Sequence, residues 1–119
     1  MWAVIVQVET ALGLRNVDEI ASTPGLTGIF VGPADLSISL GLDWEDPSTL
    51  AARQSSHQQV LEACRRAGIV AGIITPNGTV AAERIRQGFR LIGVTSDISL
   101  IADGGAEQLA IARAALAPA

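Results

Sequence analysis

The sequence predicts an α/β fold in which parallel strands alternate with helices. Three observations predict it. Four short apolar runs recur along the 119 residues and are near-continuous, as strands are when both of their faces are buried. Stretches with apolar residues at helical spacing separate them. Glycine, proline and asparagine fall at the junctions, where the chain has to turn.

The first run, Ala3 to Val8, is β-rich and reads as a strand. Asn16 or Asp18 suits the cap of a short helix over Val17 to Ala21, which Pro24-Gly25 ends. Gly28 to Val31 is the second strand, and a loop or short helix follows Gly32-Pro33 as far as Leu40-Gly41. Asp46 and Pro47 suit the cap and first position of a long helix that Gly68 stops. Leu50, His57, Val60, Leu61 and Cys64 mark its apolar face. Ile69 to Ile74 is the third strand, Asn77-Gly78 opens a helix that Gly88 closes, and Leu91 to Val94 is the fourth strand. A short helix starts at Ile98 to Ile101, Gly104-Gly105 interrupts it, and Ala106 to Leu116 forms a last one before a tail at 117–119.

Composition narrows the function. Hydrophobic residues are 49% and charged residues 17%, which excludes disorder. No apolar run reaches the ~18 residues of a membrane span. Aromatics are 3% and no basic patch is interleaved with them, so no nucleic-acid partner is expected. The single cysteine, Cys64, excludes an internal disulfide and reads as a buried or half-buried thiol in a reducing cytoplasm. Met1-Trp2-Ala3 lacks the basic start of a signal peptide, which also places the expectation in the cytoplasm. All eight bases are arginines, so a lysine Schiff base cannot form on this chain.

Two parallel architectures fit: a small doubly wound sheet, or part of a (β/α)₈ barrel, of which 119 residues make about half. In both, ligands sit beyond the carboxyl ends of the strands. Those ends carry Gln7-Val8-Glu9-Thr10, Gly32-Pro33-Ala34-Asp35, Thr75-Pro76-Asn77 and Thr95-Ser96-Asp97. Neighbouring carboxylates repel unless a cation or proton joins them, and Mg²⁺ takes one or two carboxylates plus water or substrate oxygens. Glu9 and Asp35 are therefore candidate metal ligands, although Asp35 also suits a helix cap and Glu9 a solvated position. The amides after Pro33 begin a helix-like turn, an arrangement that binds carboxylates and phosphates.

Val6 to Thr10, Val17 to Ile20 and Gly28 to Ser37 together resemble the HpcH/HpaI aldolase/citrate lyase family, and most of all its class II pyruvate aldolases of 4-hydroxy-2-oxo acids. Gly72 to Ile74 and Gly93 to Asp97 are similar to that family's last two strands. The resemblance implies a metal-dependent TIM barrel, with residues 1–119 forming one half-barrel domain of its strands five to eight. It implies Mg²⁺, Mn²⁺ or Co²⁺ on Glu9 and Asp35, chelated by the ketone and carboxylate of a pyruvate-like 2-oxo acid. It places the substrate carboxylate on the amides of Ala34 and Asp35, beside Gly32 and Pro33, with Gln7 next to the metal's waters. The metal would serve as Lewis acid for the pyruvate enolate.

The family's histidine acid/base pair and oxo-contacting arginine belong to its first four strand–helix units, so neither is assigned here. His57 lies inside the long helix and reads as a surface or boundary residue; Arg15 reads as surface, and Asp97 as a cap or a weaker ligand candidate. The chain alone is expected to cleave weakly or not at all, since acid–base catalysis typically contributes ~10²–10⁴-fold. A half-barrel also leaves two edge strands and an open inner face, which calls for a second copy or a partner chain. The alternatives are a non-catalytic metal- and 2-oxo-acid-binding fragment that oligomerises, and an acyl-CoA lyase of citrate-lyase type, for which no basic loop is evident.

Overall fold

A computed structural model describes residues 2–116; the tail at 117–119 lies outside the described residues. Four strands, β1 (Ile5–Val8), β2 (Gly28–Val31), β3 (Val70–Thr75) and β4 (Leu91–Val94), form one sheet in the order β1-β2-β3-β4, and every pair is parallel. Between them come helices α1 (Ala11–Arg15), α2 (Val17–Ala21), α3 (Pro33–Ser39), α4 (Leu50–Ala67) and α5 (Gly78–Gln87), and α6 (Asp97–Ala114) follows β4. Strand order equal to chain order is the order of a barrel, whereas a doubly wound sheet reverses direction at a switch point. The architecture is α/β, four parallel β/α units corresponding to half of a TIM barrel.

Side chains alternate between the faces of each strand. Val6, Val8, Ile29, Val31, Ala71, Ile73 and Ile92 face the helices, and the core forms there with Leu14, Val17 and Ala21 from α1 and α2 and with Val60, Leu61 and Cys64 from α4. Phe89, fully buried, closes it below β4. The thiol of Cys64 is buried, and loss of solvation pushes its pKa up. The opposite face carries Ile5, Gln7, Phe30, Ile74 and Leu91, with no helix over it. Gln7, Phe30, Gly72 and Leu91 share one row across the four strands, and the Phe30 ring lies against Gly72. Burial of the strands on both faces does not hold within this chain. Four strands curve through half a barrel and leave the lumen side uncovered.

Several local expectations change. Thr10 caps α1, a helix too short to show a periodicity, by accepting from the Gly13 amide at 3.0 Å. Asp46 caps a single 3₁₀ turn over Pro47–Thr49, and α4 begins only at Leu50, which is exposed. His57 is buried, not on the surface, with only 4% of its area exposed. Gly104-Gly105 does not break the last helix, since a helical glycine costs only about 1 kcal/mol relative to alanine. The 18-residue α6 is continuous, and all of it is exposed: Ile98 at 77% and Ile101 at 75% stand in solvent. An exposed ion pair, Arg66 with Asp18, ties α4 to α2; pairs of this kind add at most about 1 kcal/mol.

Candidate active site at the carboxyl ends of the strands

β1 and β2 end side by side, with Val8 opposite Val31. Gln7 points to the inner face, and its Nε2 donates to Glu9 Oε2 at 2.7 Å. Across from them the chain leaves β2 through Gly32 into Pro33, the first residue of α3. A Cβ on residue 32 would lie 2.7 Å from Gln7 Nε2 and 2.9 Å from Glu9 Oε2. Glycine is required here because the glutamate and glutamine heads occupy the space a side chain would fill. Gly32→Ala is therefore expected to push the Glu9 carboxylate aside and to lower divalent-cation affinity about tenfold with the fold retained; a Mn²⁺ titration of folded variant and parent checks it.

α3 is seated firmly. Pro33 is pre-set for the first helical turn, and Leu36 donates the first helical bond to Gly32 at 2.9 Å. The buried Ser37 hydroxyl donates back to the Pro33 carbonyl at 2.7 Å, and Ser39 Oγ accepts from the Ala11 amide at 2.9 Å. The amides of Ala34 and Asp35 precede that first bond, and both residues are exposed.

Gln7, Gly32, Pro33, Ala34 and Asp35 together line one cleft of about 340 Å³. Five of the six residues singled out from sequence thus share a single concavity, and Glu9 joins them through its bond to Gln7. The cleft also takes Thr75, Thr95 and Ser96 from the ends of β3 and β4, and Trp44 from the loop after α3. Asp97 is not among its lining residues: its Oδ1 accepts from the Ile98 amide at 2.8 Å, while Ser96 is the true cap of α6, accepting from Ser99 N at 3.2 Å. His57 lies in the core of the helical layer, and Arg15 is exposed at the last position of α1.

Sequence reasoning missed Trp44 as a member of this site, and it placed Thr95 at the end of β4 without giving it a role. Trp44 sits in a loop with no periodicity to announce it. Thr95 has φ +61°, a left-handed conformation that strains a β-branched residue, and its amide donates to the Thr75 carbonyl at 2.7 Å. Thr95→Gly is expected to raise stability by about 1 kcal/mol, read as a higher urea midpoint with unchanged slope.

Among the described residues no cluster of three or more histidine, cysteine, aspartate or glutamate side chains could hold a metal. The donor set at the cleft is two carboxylates and an amide. That does not suit Zn²⁺, which needs three or four protein ligands. It does suit a hard cation such as Mg²⁺ or Mn²⁺, which completes its shell with water and substrate oxygens. The cradle left by the missing side chain at Gly32, with Glu9 held in it by Gln7, agrees with that use.

The HpcH/HpaI aldolase/citrate lyase family pattern matches residues 2–104. A hydroxypyruvate/pyruvate aldolase of Paraburkholderia phytofirmans is 42% identical over 96 residues, which cover 81% of this chain and 36% of the relative. A 4-hydroxy-2-oxo-heptane-1,7-dioate aldolase of Klebsiella pneumoniae is 37% identical over 109 residues, covering 90% of this chain and 39% of the relative. The crystal structure of an HpcH/HpaI family protein from Burkholderia cenocepacia superposes with TM-score 0.83 at 40% identity, over 93% of this chain and 42% of that one. The chain thus spans 36 to 42% of the length of these relatives. With the family pattern matched over residues 2–104 and relatives about 40% identical in sequence and alike in fold, the chain belongs to the HpcH/HpaI aldolase/citrate lyase family.

Proposed function

We propose that this chain supplies the metal- and 2-oxo-acid-holding half of an aldolase site that cleaves 4-hydroxy-2-oxo acids to pyruvate and an aldehyde. One observation carries the reading: Gln7, Glu9 and the Gly32–Asp35 turn lie together at the ends of adjacent parallel strands, in a family whose relatives are named for such aldolase activities. Glu9 and Asp35 would hold a divalent cation. Bound there, it would supply Lewis-acid stabilisation of charge on the oxo oxygen. Gln7 fixes the Glu9 carboxylate and keeps an amide at the mouth of the site. The amides of Ala34 and Asp35 would take the substrate carboxylate. Cleavage needs a base to take the C4 hydroxyl proton as the C3–C4 bond breaks and an acid to protonate C3 of the pyruvate enolate, and among the described residues no histidine lines the cleft to do either.

The open inner face and the exposed α6 bear on partners. Ile5, Val70, Ile74 and Leu91 on the sheet, and Ile98, Leu100 and Ile101 on α6, present more apolar surface than a monomer ordinarily leaves in water. In this reading a second copy or a chain carrying the complementary half covers them. No helix among the described residues is long and apolar enough to cross a membrane, and the proposed setting is the cytoplasm.

The test is solvent exchange of the pyruvate methyl protons with added buffer base as the proton acceptor, followed by NMR in D₂O with Mg²⁺, beside an aldol cleavage assay. The reading expects metal-dependent exchange, with cleavage far weaker. Exchange that is absent, or indifferent to chelator, contradicts it.

A further inference from the structure

Trp44 is 42% exposed and forms one wall of the cleft that holds Gly32, Ala34 and Asp35, facing an apolar patch that includes Ile74 and Pro76. Its loop is built to hold it still. The Arg53 guanidinium stacks on the indole at 4.8 Å, and Arg53 Nε donates to Thr49 Oγ1 at 3.0 Å. The Thr49 hydroxyl in turn lies 2.7 Å from the Asp43 carbonyl and 2.9 Å from that of Asp46. Asp43 Oδ1 accepts from the Glu45 amide at 2.9 Å, and Asp46 Oδ1 from Ser48 N at 2.8 Å. The cation–π contact faces the ring with a charge that is already committed to the loop. The loop therefore presents an indole to the cleft, while its acids Asp43, Glu45 and Asp46 are not among the cleft's lining residues. Among the described residues no arginine lines the cleft.

We propose that Trp44 is a specificity-determining wall of this cleft, which admits 2-oxo acids whose tail beyond the reacting carbons is apolar and uncharged and rejects those with a second carboxylate. The inference rests on the reading of the cleft as a 2-oxo-acid site. The apolar part of a tail removes water from the indole, Ile74 and Pro76, which is favourable. A terminal carboxylate would lose solvation against this apolar wall, with no arginine among the cleft's lining residues to pair it and the Arg53 guanidinium held on the indole and Thr49. The device is one of discrimination, with an unfavourable element as well as a favourable one.

The chain contains two tryptophans, so Trp2→Phe leaves Trp44 as the only indole reporter. In that background, with Mn²⁺ present, pyruvate, 2-oxohexanoate and 2-oxoadipate are titrated by fluorescence and calorimetry. 2-Oxohexanoate is expected to bind about tenfold more tightly than pyruvate with a change in Trp44 emission, and 2-oxoadipate no more tightly than pyruvate. Trp44→Ala is expected to bring the ratio of 2-oxohexanoate to pyruvate affinity from about ten to about one. Trp44→Arg is expected to reverse the order in favour of 2-oxoadipate. A preference that survives Trp44→Ala, or tightest binding of 2-oxoadipate by the parent, overturns the proposal while leaving the 2-oxo-acid reading intact. Failure of pyruvate itself to bind with Mn²⁺ overturns both.

Discussion

Asp35→Asn and Glu9→Gln are each expected to lower the Mn²⁺ affinity of the chain by about 100-fold or more. Both substitutions keep the shape of the side chain and remove only its charge. With two carboxylates as the protein's ionic ligands, either change takes away half of the negative charge that holds the cation, well beyond the 10–100-fold typical of a neighbour that merely orients a ligand. The effect is expected to be specific. Asp35 is exposed in the first turn of α3, and Glu9 is half-buried beyond the end of β1. Neither accepts a hydrogen bond from the core, so the thermal midpoint without metal moves little. Asp35 does sit where a helix favours an acid, and Asn keeps a polar group there. Calorimetry of the folded variants against Mn²⁺ checks the affinity, and circular dichroism checks the fold. Affinity unchanged in both variants would remove these residues from the site.

The second large effect concerns stability and belongs to His57. This residue is buried in α4 with no hydrogen-bond partner at either ring nitrogen, and Arg84 Nε from α5 is likewise unpartnered. Burial, then the charges of Arg84 and Arg53, lower the imidazole pKa from 6.5 to about 4. The native state therefore holds His57 neutral, while the unfolded chain protonates it below pH 6.5. The stability this contributes is full above pH 6.5 and is lost as pH falls from 6.5 toward 4. The gap corresponds to about 3 kcal/mol in all, of which about 2 kcal/mol is lost between pH 7.5 and pH 5. His57→Leu is expected to remove that slope, and also to raise stability at pH 7.5, because an unpaired polar ring gives way to an apolar group of similar size. Urea unfolding at the two pH values, parent against variant, measures it. Equal pH dependence in both would show that the imidazole is accessible to protons in the native state.

Much of this molecule is legible in its sequence, and the illegible parts share a cause. β2 and β4 fall where their apolar runs and flanking glycines place them. Asn77 caps α5 as its type and position announce, accepting from Val80 N at 3.0 Å. Gln7 and Gly32 to Asp35 could be singled out because parallel sheets gather ligand-binding groups at their strand ends, and these five residues do line one cleft. What local pattern could not convey is which neighbours each face would meet. Leu50, on the apparent apolar stripe of α4, is exposed at the first position of the helix, whereas His57 and Arg84 are buried. The strands carry residues suited to burial on both faces, yet helices cover only one. The glycine pair in α6 reads as a break because no local term records how small its cost is within 18 helical residues. Trp44 is invisible for another reason: its place depends on a hydrogen-bonded loop that only the folded chain assembles around Thr49.

The central claim is that Glu9 and Asp35, aided by Gln7 and the Gly32–Asp35 turn, form a site that holds a divalent cation and a 2-oxo acid together. Cooperative binding is its most direct signature, because a ligand that chelates the cation shares its coordination sphere. Mn²⁺ is titrated into the chain by electron paramagnetic resonance, with and without saturating pyruvate. The account predicts that pyruvate tightens Mn²⁺ binding at least about tenfold, and that Glu9→Gln abolishes this coupling. Mn²⁺ affinity indifferent to pyruvate, or coupling that persists in Glu9→Gln, would contradict it.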